Sequence, residues 1–134
     1  QKTQFDLKCK FTGEKVKGDL IVHKHLENKE FDKFLTTTVA FLNLIDTSAN
    51  NGVTDCLARN IPLLVNCHPA VVQYLGDDYP FYYNSLETAN RKINDIKLIK
   101  KTYNYLKNMN KTRVNIRTFM KEFEQSNIYK GLQN

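Results

Sequence analysis

The order of apolar and polar positions predicts strands and helices in alternation. In residues 5–11, FDLKCKF, Phe5, Leu7, Cys9 and Phe11 share one side of an extended chain and Asp6, Lys8 and Lys10 the other. That period of two marks a half-buried or edge strand. After the turn TGEKVKG, DLIVHKH predicts a second strand near 19–23, and the pair could close a hairpin. Asn28 is placed to cap a short helix over KEFDKFL, with Phe31, Phe34 and Leu35 inward. VAFLNLI, 39–45, is apolar nearly throughout, as expected of a strand covered on both faces. A polar turn, SANNG, then leads into a short helix, VTDCLARN, and a buried strand over 62–66, PLLVN. Pro69 opens a helix over PAVVQYL that Gly76 is placed to end.

PFYYN, 80–84, predicts the last short strand, and Ser85 is a good N-cap. Beyond it Leu86, Ala89, Ile93, Ile96, Ile99, Tyr103 and Leu106 step by three or four. They predict one long amphipathic helix, with Asn94–Asp95 as the place where it could break. A final helix carries Ile116, Phe119, Met120 and Phe123. This alternation predicts a single α/β domain over residues 1–134: a doubly wound, mostly parallel, Rossmann-like sheet with helices on both faces and a helical C-terminus. Val39, Phe41, Leu44, Leu63, Leu64 and Val65 are expected to be buried in it. Ligands of such sheets bind at the carboxyl ends of the strands. The turn 46–52 and the loop NCHP, 66–69, fall together on that rim.

Composition changes the picture in two places. With 41% hydrophobic and 25% charged residues the chain is globular, and no apolar run is long enough to span a bilayer. Its start at Gln1 is read as a cut from something longer. Cys9, Cys56 and Cys67 have no paired spacing and sit among apolar neighbours, so reduced, buried thiols, no metal and a cytoplasmic location are expected. The charge is uneven: residues 1–90 hold 9 Lys/Arg against 11 Asp/Glu, whereas residues 91–134 hold 11 against 3. A basic carboxyl-terminal region suits nucleic acid, anionic lipid headgroups or an acidic partner, although a lysine-coated, solvated helix face is the commoner meaning.

The chemistry concentrates at 48–55. A helix start offers free N–H groups and partial positive charge, so small residues before it can hold phosphate. Ser48, Asn50, Asn51 and Gly52 fit a diphosphate there, and Asp55, one turn into the helix, can accept from both hydroxyls of a ribose. Against that stands an asparagine N-cap with an incidental aspartate. Neither a GxGxxG nor a GxxxxGK[ST] fingerprint occurs. His68 and Asn66 are candidates for contacts on that rim, where His68 could donate to a phosphate or sugar hydroxyl. His23 and His25 share a strand face but read better as surface residues, and Tyr74, Tyr79, Tyr82 and Tyr83 as core or rim aromatics.

DTSANNGVTDCLARNIPLLVNCHPAVVQYLGDDYPFYYNS, 46–85, resembles the carboxyl-terminal half of a GT-B glycosyltransferase. In that family a strand leads to a serine-containing loop, a helix bearing an acid, and a proline-led strand. Here Ser48 to Gly52, Asp55 and Asn60-Ile61-Pro62 take those places, and the resemblance extends over residues 19–134. It implies a transferase whose nucleotide-sugar donor lays its diphosphate on the helix start and its ribose on the acid, passing a hexose-type sugar to an acceptor. It implies no cofactor and no metal, since helix dipole and amides stabilise the leaving diphosphate and no DxD motif occurs. The spaced glutamate pair of retaining members is absent, Thr47 standing at its first position and Asp55 at its second. The amino-terminal GT-B domain is missing as well, so the chain is expected to be inactive alone. Nucleic acid is not expected as a partner in this reading. The alternative is a basic α/β module that binds nucleic acid or a protein partner without catalysis.

Overall fold

The computed structural model describes residues 25–45 and 50–132. The chain divides into two compact units, residues 1–32 and 33–134. The described part of the first is 25–32, which includes the start of α1 (Asn28–Thr36) and its opening bond from Phe31 N–H to the Glu27 carbonyl at 2.9 Å. Phe31 and Phe34 are exposed rather than turned inward. The expected strands at 5–11 and 19–23, with Cys9 and His23, lie outside the described residues.

The second unit holds a three-stranded sheet in the order β1 (Ala40–Leu42), β2 (Leu63–Asn66), β3 (Tyr82–Tyr83). Both pairings are parallel, with Ala40 opposite Leu63 and Val65 opposite Tyr82. Parallel neighbours need crossovers, and α2 (Asn51–Arg59) and α3 (Pro69–Leu75) supply them and pack on each other. The fold is α/β with a parallel sheet, as the alternation predicts. Among the described strands the order runs with the sequence and does not reverse.

The core is built on β2. Leu63, Leu64 and Val65 are all buried, so both faces of this strand are covered, each side chain contributing roughly 1.5–3 kcal/mol of apolar burial. Val53, Cys56 and Leu57 of α2, Val71 and Leu75 of α3, and Phe81 join it, together with Ile61, Tyr79, Tyr83, Ala89 and Leu106. β1 behaves differently. It spans Ala40–Leu42 rather than 39–45, Val39 and Leu44 are half-buried, and Phe41 is 46% exposed. As the edge of the described sheet β1 has β2 on one side only. The Phe41 ring lies on Tyr83 instead, with centroids 5.5 Å apart.

Helix ends follow local chemistry. Asn60 closes α2 in the left-handed region (φ 59°), its N–H reaching the carbonyls of Cys56 and Leu57, a conformation asparagine tolerates. Gly76 closes α3 at φ 81°, where a Cβ would also stand 2.9 Å from the Tyr105 hydroxyl. That hydroxyl donates to the Leu75 carbonyl at 2.7 Å. The long helical stretch does break at Asn94–Asp95. Asp95 accepts from Leu98 N–H at 3.0 Å and starts α5 (Ile96–Asn108) afresh after α4 (Leu86–Ile93). A 3-10 turn (Thr112–Val114), α6 (Ile116–Gln125) and α7 (Asn127–Leu132) follow.

Cys56 gives the fold an alkaline limit. Burial first, and the Asp55 charge second, push its thiol from 9.0 up to about 11, with Arg59 opposing. From pH 9 upward the unfolded chain sheds a proton that the folded chain keeps. Stability fully present below pH 9 is therefore lost as pH rises towards 11, by up to about 2 kcal/mol. Urea melts of wild type and Cys56→Ala at pH 8, 9 and 10 should show the slope in the wild type and a flatter line in the variant. Above pH 10 the hydroxyls of buried Tyr79 and half-buried Tyr82, also shifted upward by desolvation, add to the loss.

Candidate functional site: the carboxyl rim of the sheet

The carboxyl ends of β1, β2 and β3 bring together the start of α2, the segment Asn66–His68, and Tyr83 to Ser85. Ser48 lies outside the described residues. Asn50 is the N-cap residue of α2, and its carbonyl accepts from Thr54 N–H at 2.9 Å. Its side chain, however, makes no bond to the first turn. The five later helices are different. His68 Nδ1 accepts from Ala70 N–H, Ser85 Oγ from Thr88 N–H, Asp95 Oδ1 from Leu98 N–H, Asn115 Oδ1 from Arg117 N–H and Ser126 Oγ from Tyr129 N–H. The first turn of α2 thus carries no such bond from its own cap, and Asn51 and Gly52 in it are exposed. An added Cβ on Gly52 would meet Leu42 Cδ1 at 3.4 Å, ordinary contact.

Asp55 stands one turn further and is already engaged. Its Oδ1 accepts from Arg59 Nη1 at 2.9 Å, an i,i+4 pair whose aspartate side chain is 44% exposed. Such pairs are worth only a few tenths of a kcal/mol. The pairing is visible in the spacing Asp55–Arg59, which the ribose reading passed over.

Asn66 makes structural bonds on the rim. Its Oδ1 accepts from Leu44 N–H and its Nδ2 donates to the Leu44 carbonyl, both at 2.8 Å. The side chain ties the exit of β1 to the end of β2, like one more rung of the ladder, which leaves its amide little capacity for a donor. Replacing it with leucine should strand a half-buried N–H and carbonyl at a cost of about 1–3 kcal/mol. Asn66→Asp should keep the first bond and turn the second into repulsion. Chemical unfolding of both variants checks this, and no loss in either would mean that water takes over both bonds.

His68 caps α3 through Nδ1, which assigns the neutral ring's proton to Nε2 on hydrogen-bond grounds. Tyr83 and Asn43 also belong to the rim. The Tyr83 hydroxyl lies 3.1 Å from the Leu42 carbonyl and 3.0 Å from Asn43 Oδ1, and burial raises its pKa. The one polar residue inside VAFLNLI was the available signal for Asn43. Cys67, expected to be buried, is exposed on this rim, whereas Cys56 is buried in the core. His25 is exposed. Among the described residues no three His, Cys, Asp or Glu side chains converge on a common point.

A hollow of about 660 Å³ lies away from the rim, at the end where α2 and α3 finish. Leu57, Val72, Gly76, Met109 and Val114 line it, with Lys111 on its wall donating to Asn60 Oδ1. Among the candidates the rim joins Asn50, Asn51 and Gly52 to one another and leaves Asn66 and His68 engaged in structural bonds. No family model matches the chain, and no curated relative or solved structure does either.

Proposed function

We propose that the chain binds the diphosphate of a nucleotide at the first turn of α2, as the nucleotide-sugar-binding half of a GT-B glycosyltransferase. The observation that carries this reading is the α2 start itself: it follows a parallel strand on the carboxyl rim, receives no bond from the side chain of its cap residue, and has Gly52 in its first turn. Amide donors and the positive end of the helix favour an anion there. In transfer they would stabilise the charge that grows on the leaving diphosphate. Asp55, held only by a surface ion pair with Arg59, can exchange part of that pair for ribose hydroxyls at small cost. The doubly wound, Rossmann-like arrangement, the sugar, and an amino-terminal partner domain carrying the acceptor site belong to this same proposal.

Thermal unfolding with UDP, GDP, ADP and inorganic pyrophosphate tests it. A ligand bound only by the folded state stabilises by about 2.7 kcal/mol at a hundred times its Kd. At least one nucleoside diphosphate should raise the midpoint in a concentration-dependent way. A flat response across the panel would remove the reading.

A further inference from the structure

The carboxyl-terminal third of the chain carries two features that the nucleotide reading leaves unused. The first is charge. α5 contains no acidic residue, and Lys97, Lys100, Lys101 and Lys107 all stand on its exposed side, opposite the buried Thr102 and Leu106. The second is an apolar face in water. Ile116, Phe119, Met120 and Phe123 fall at i, i+3, i+4 and i+7 of α6, one stripe of a helix. They are 68%, 57%, 45% and 37% exposed. α6 packs on the 3-10 turn and on α7, and Phe123 meets Phe119 and Tyr129 edge or face, yet the stripe stays open. Ile128 and Leu132 of α7 are exposed as well.

Nucleic acid, a second copy of the chain and an anionic bilayer fit these features unequally, and charge decides between these three. Nucleic acid would use the lysines of α5 and leave the stripe of α6 wet. A second copy of the chain would cover the stripe, but it would leave the lysines of α5, a helix with no acidic residue, without a counter-charge. An anionic bilayer surface satisfies both features at once, since interfacial helices combine buried apolar area with attraction to acidic headgroups. The charges of α6 itself cancel, Arg117 and Lys121 against Glu122 and Glu124, so the attraction falls to α5. Residues 109–115 link the two helices over at most about 30 Å. Among the described residues no helix is long and apolar enough to cross a membrane, so such a contact lies on the surface.

We propose that α5 and α6 form a contact for anionic lipid surfaces, with the apolar stripe of α6 seated at the headgroup boundary and the α5 lysines on the lipid phosphates and carboxylates. Flotation of the whole chain tests this with phosphatidylcholine vesicles and with vesicles in which about a third of the lipid is phosphatidylserine. Partition onto the mixed vesicles should exceed that onto phosphatidylcholine by tenfold or more and fall when salt rises from about 0.1 to about 0.5 M. Replacing Lys97, Lys100 and Lys101 together with Gln should lower it by up to about a hundredfold, near fivefold per lysine. Replacing Ile116, Phe119 and Met120 together with Ser should lower it at least tenfold. All six positions are exposed, so the unfolding midpoint of either variant should stay in place. Failure of the wild type to float with the mixed vesicles overturns the proposal. So does loss in the lysine variant alone, which would point to a polyanion such as nucleic acid. A wild-type dimer that the serine variant dissolves would overturn it in favour of a second copy.

Discussion

Tyr79→Phe should destabilise the protein by about 2–4 kcal/mol although it removes a single oxygen. The hydroxyl accepts from Leu63 N–H at 2.9 Å and donates to the Leu63 carbonyl at 2.8 Å. Val65 N–H points to the Phe81 carbonyl, and strand alternation directs the polar groups of Leu63 to the same side. β3 pairs with β2 only from Val65 onward. The tyrosine oxygen therefore takes the place of the missing rung at Leu63, a residue with no solvent exposure. Phenylalanine would keep the edge contacts with Tyr82 and Tyr105, at 5.1 and 5.6 Å between centroids, and lose only the two hydrogen bonds. Each group then left unpaired in the interior costs about 1–3 kcal/mol. Equilibrium unfolding in urea measures the difference directly, and an unchanged midpoint would show that water reaches Leu63.

What was legible in the chain is what depends on near neighbours. Pro69, Gly76, Ser85 and the Asn94–Asp95 break act within one turn of themselves, and all four stand where the local rules put them. β2 was legible too, because an unbroken aliphatic run covered on both faces looks the same wherever the cover comes from. β1 was not. Its run is as apolar as that of β2, but burial depends on how many neighbours a strand has, which no local pattern records. Phe41 shows the consequence, lying on Tyr83 at the sheet edge. The same limit applies to polar residues at strand ends. Asn66 at a carboxyl rim reads as a ligand contact until its partner, Leu44, is known, and that partner is 22 positions away. Asp55 and Arg59 are four apart and could have been paired from spacing alone. The stripe of α6 was equally plain as a period, whereas its lack of a covering element among the described residues was not. The carboxyl rim was thus legible as the place where the start of α2 and the segment Asn66–His68 meet, whereas the bonds that Asn66 and Asp55 make there were not read from the chain.

At that place the second large effect is expected from Gly52 and Asp55. Gly52→Val should abolish nucleotide binding and leave the fold intact. The new Cβ meets Leu42 Cδ1 at ordinary contact distance, while its methyl groups crowd the first-turn amides against which a diphosphate would lie. Asp55→Ala acts on the other end of the ligand. It breaks the surface pair with Arg59, a change in stability of a few tenths of a kcal/mol, and on the proposed nucleotide reading would remove charge-assisted acceptors for the ribose worth about 1.5–3 kcal/mol each before desolvation. Affinity for a ribonucleoside diphosphate should then fall about tenfold to a few hundredfold, at about 1.4 kcal/mol per tenfold. Inorganic pyrophosphate has no ribose, and its affinity should hold or rise slightly as the nearby carboxylate disappears. Titration calorimetry of UDP and pyrophosphate against both variants separates the roles. Loss of both ligands in Gly52→Val, with loss of UDP alone in Asp55→Ala, places the diphosphate on the helix start and the ribose on the acid. Equal weakening of the two ligands in Asp55→Ala would instead mean that the carboxylate supports the fold of the α2 start and does not hold the ribose.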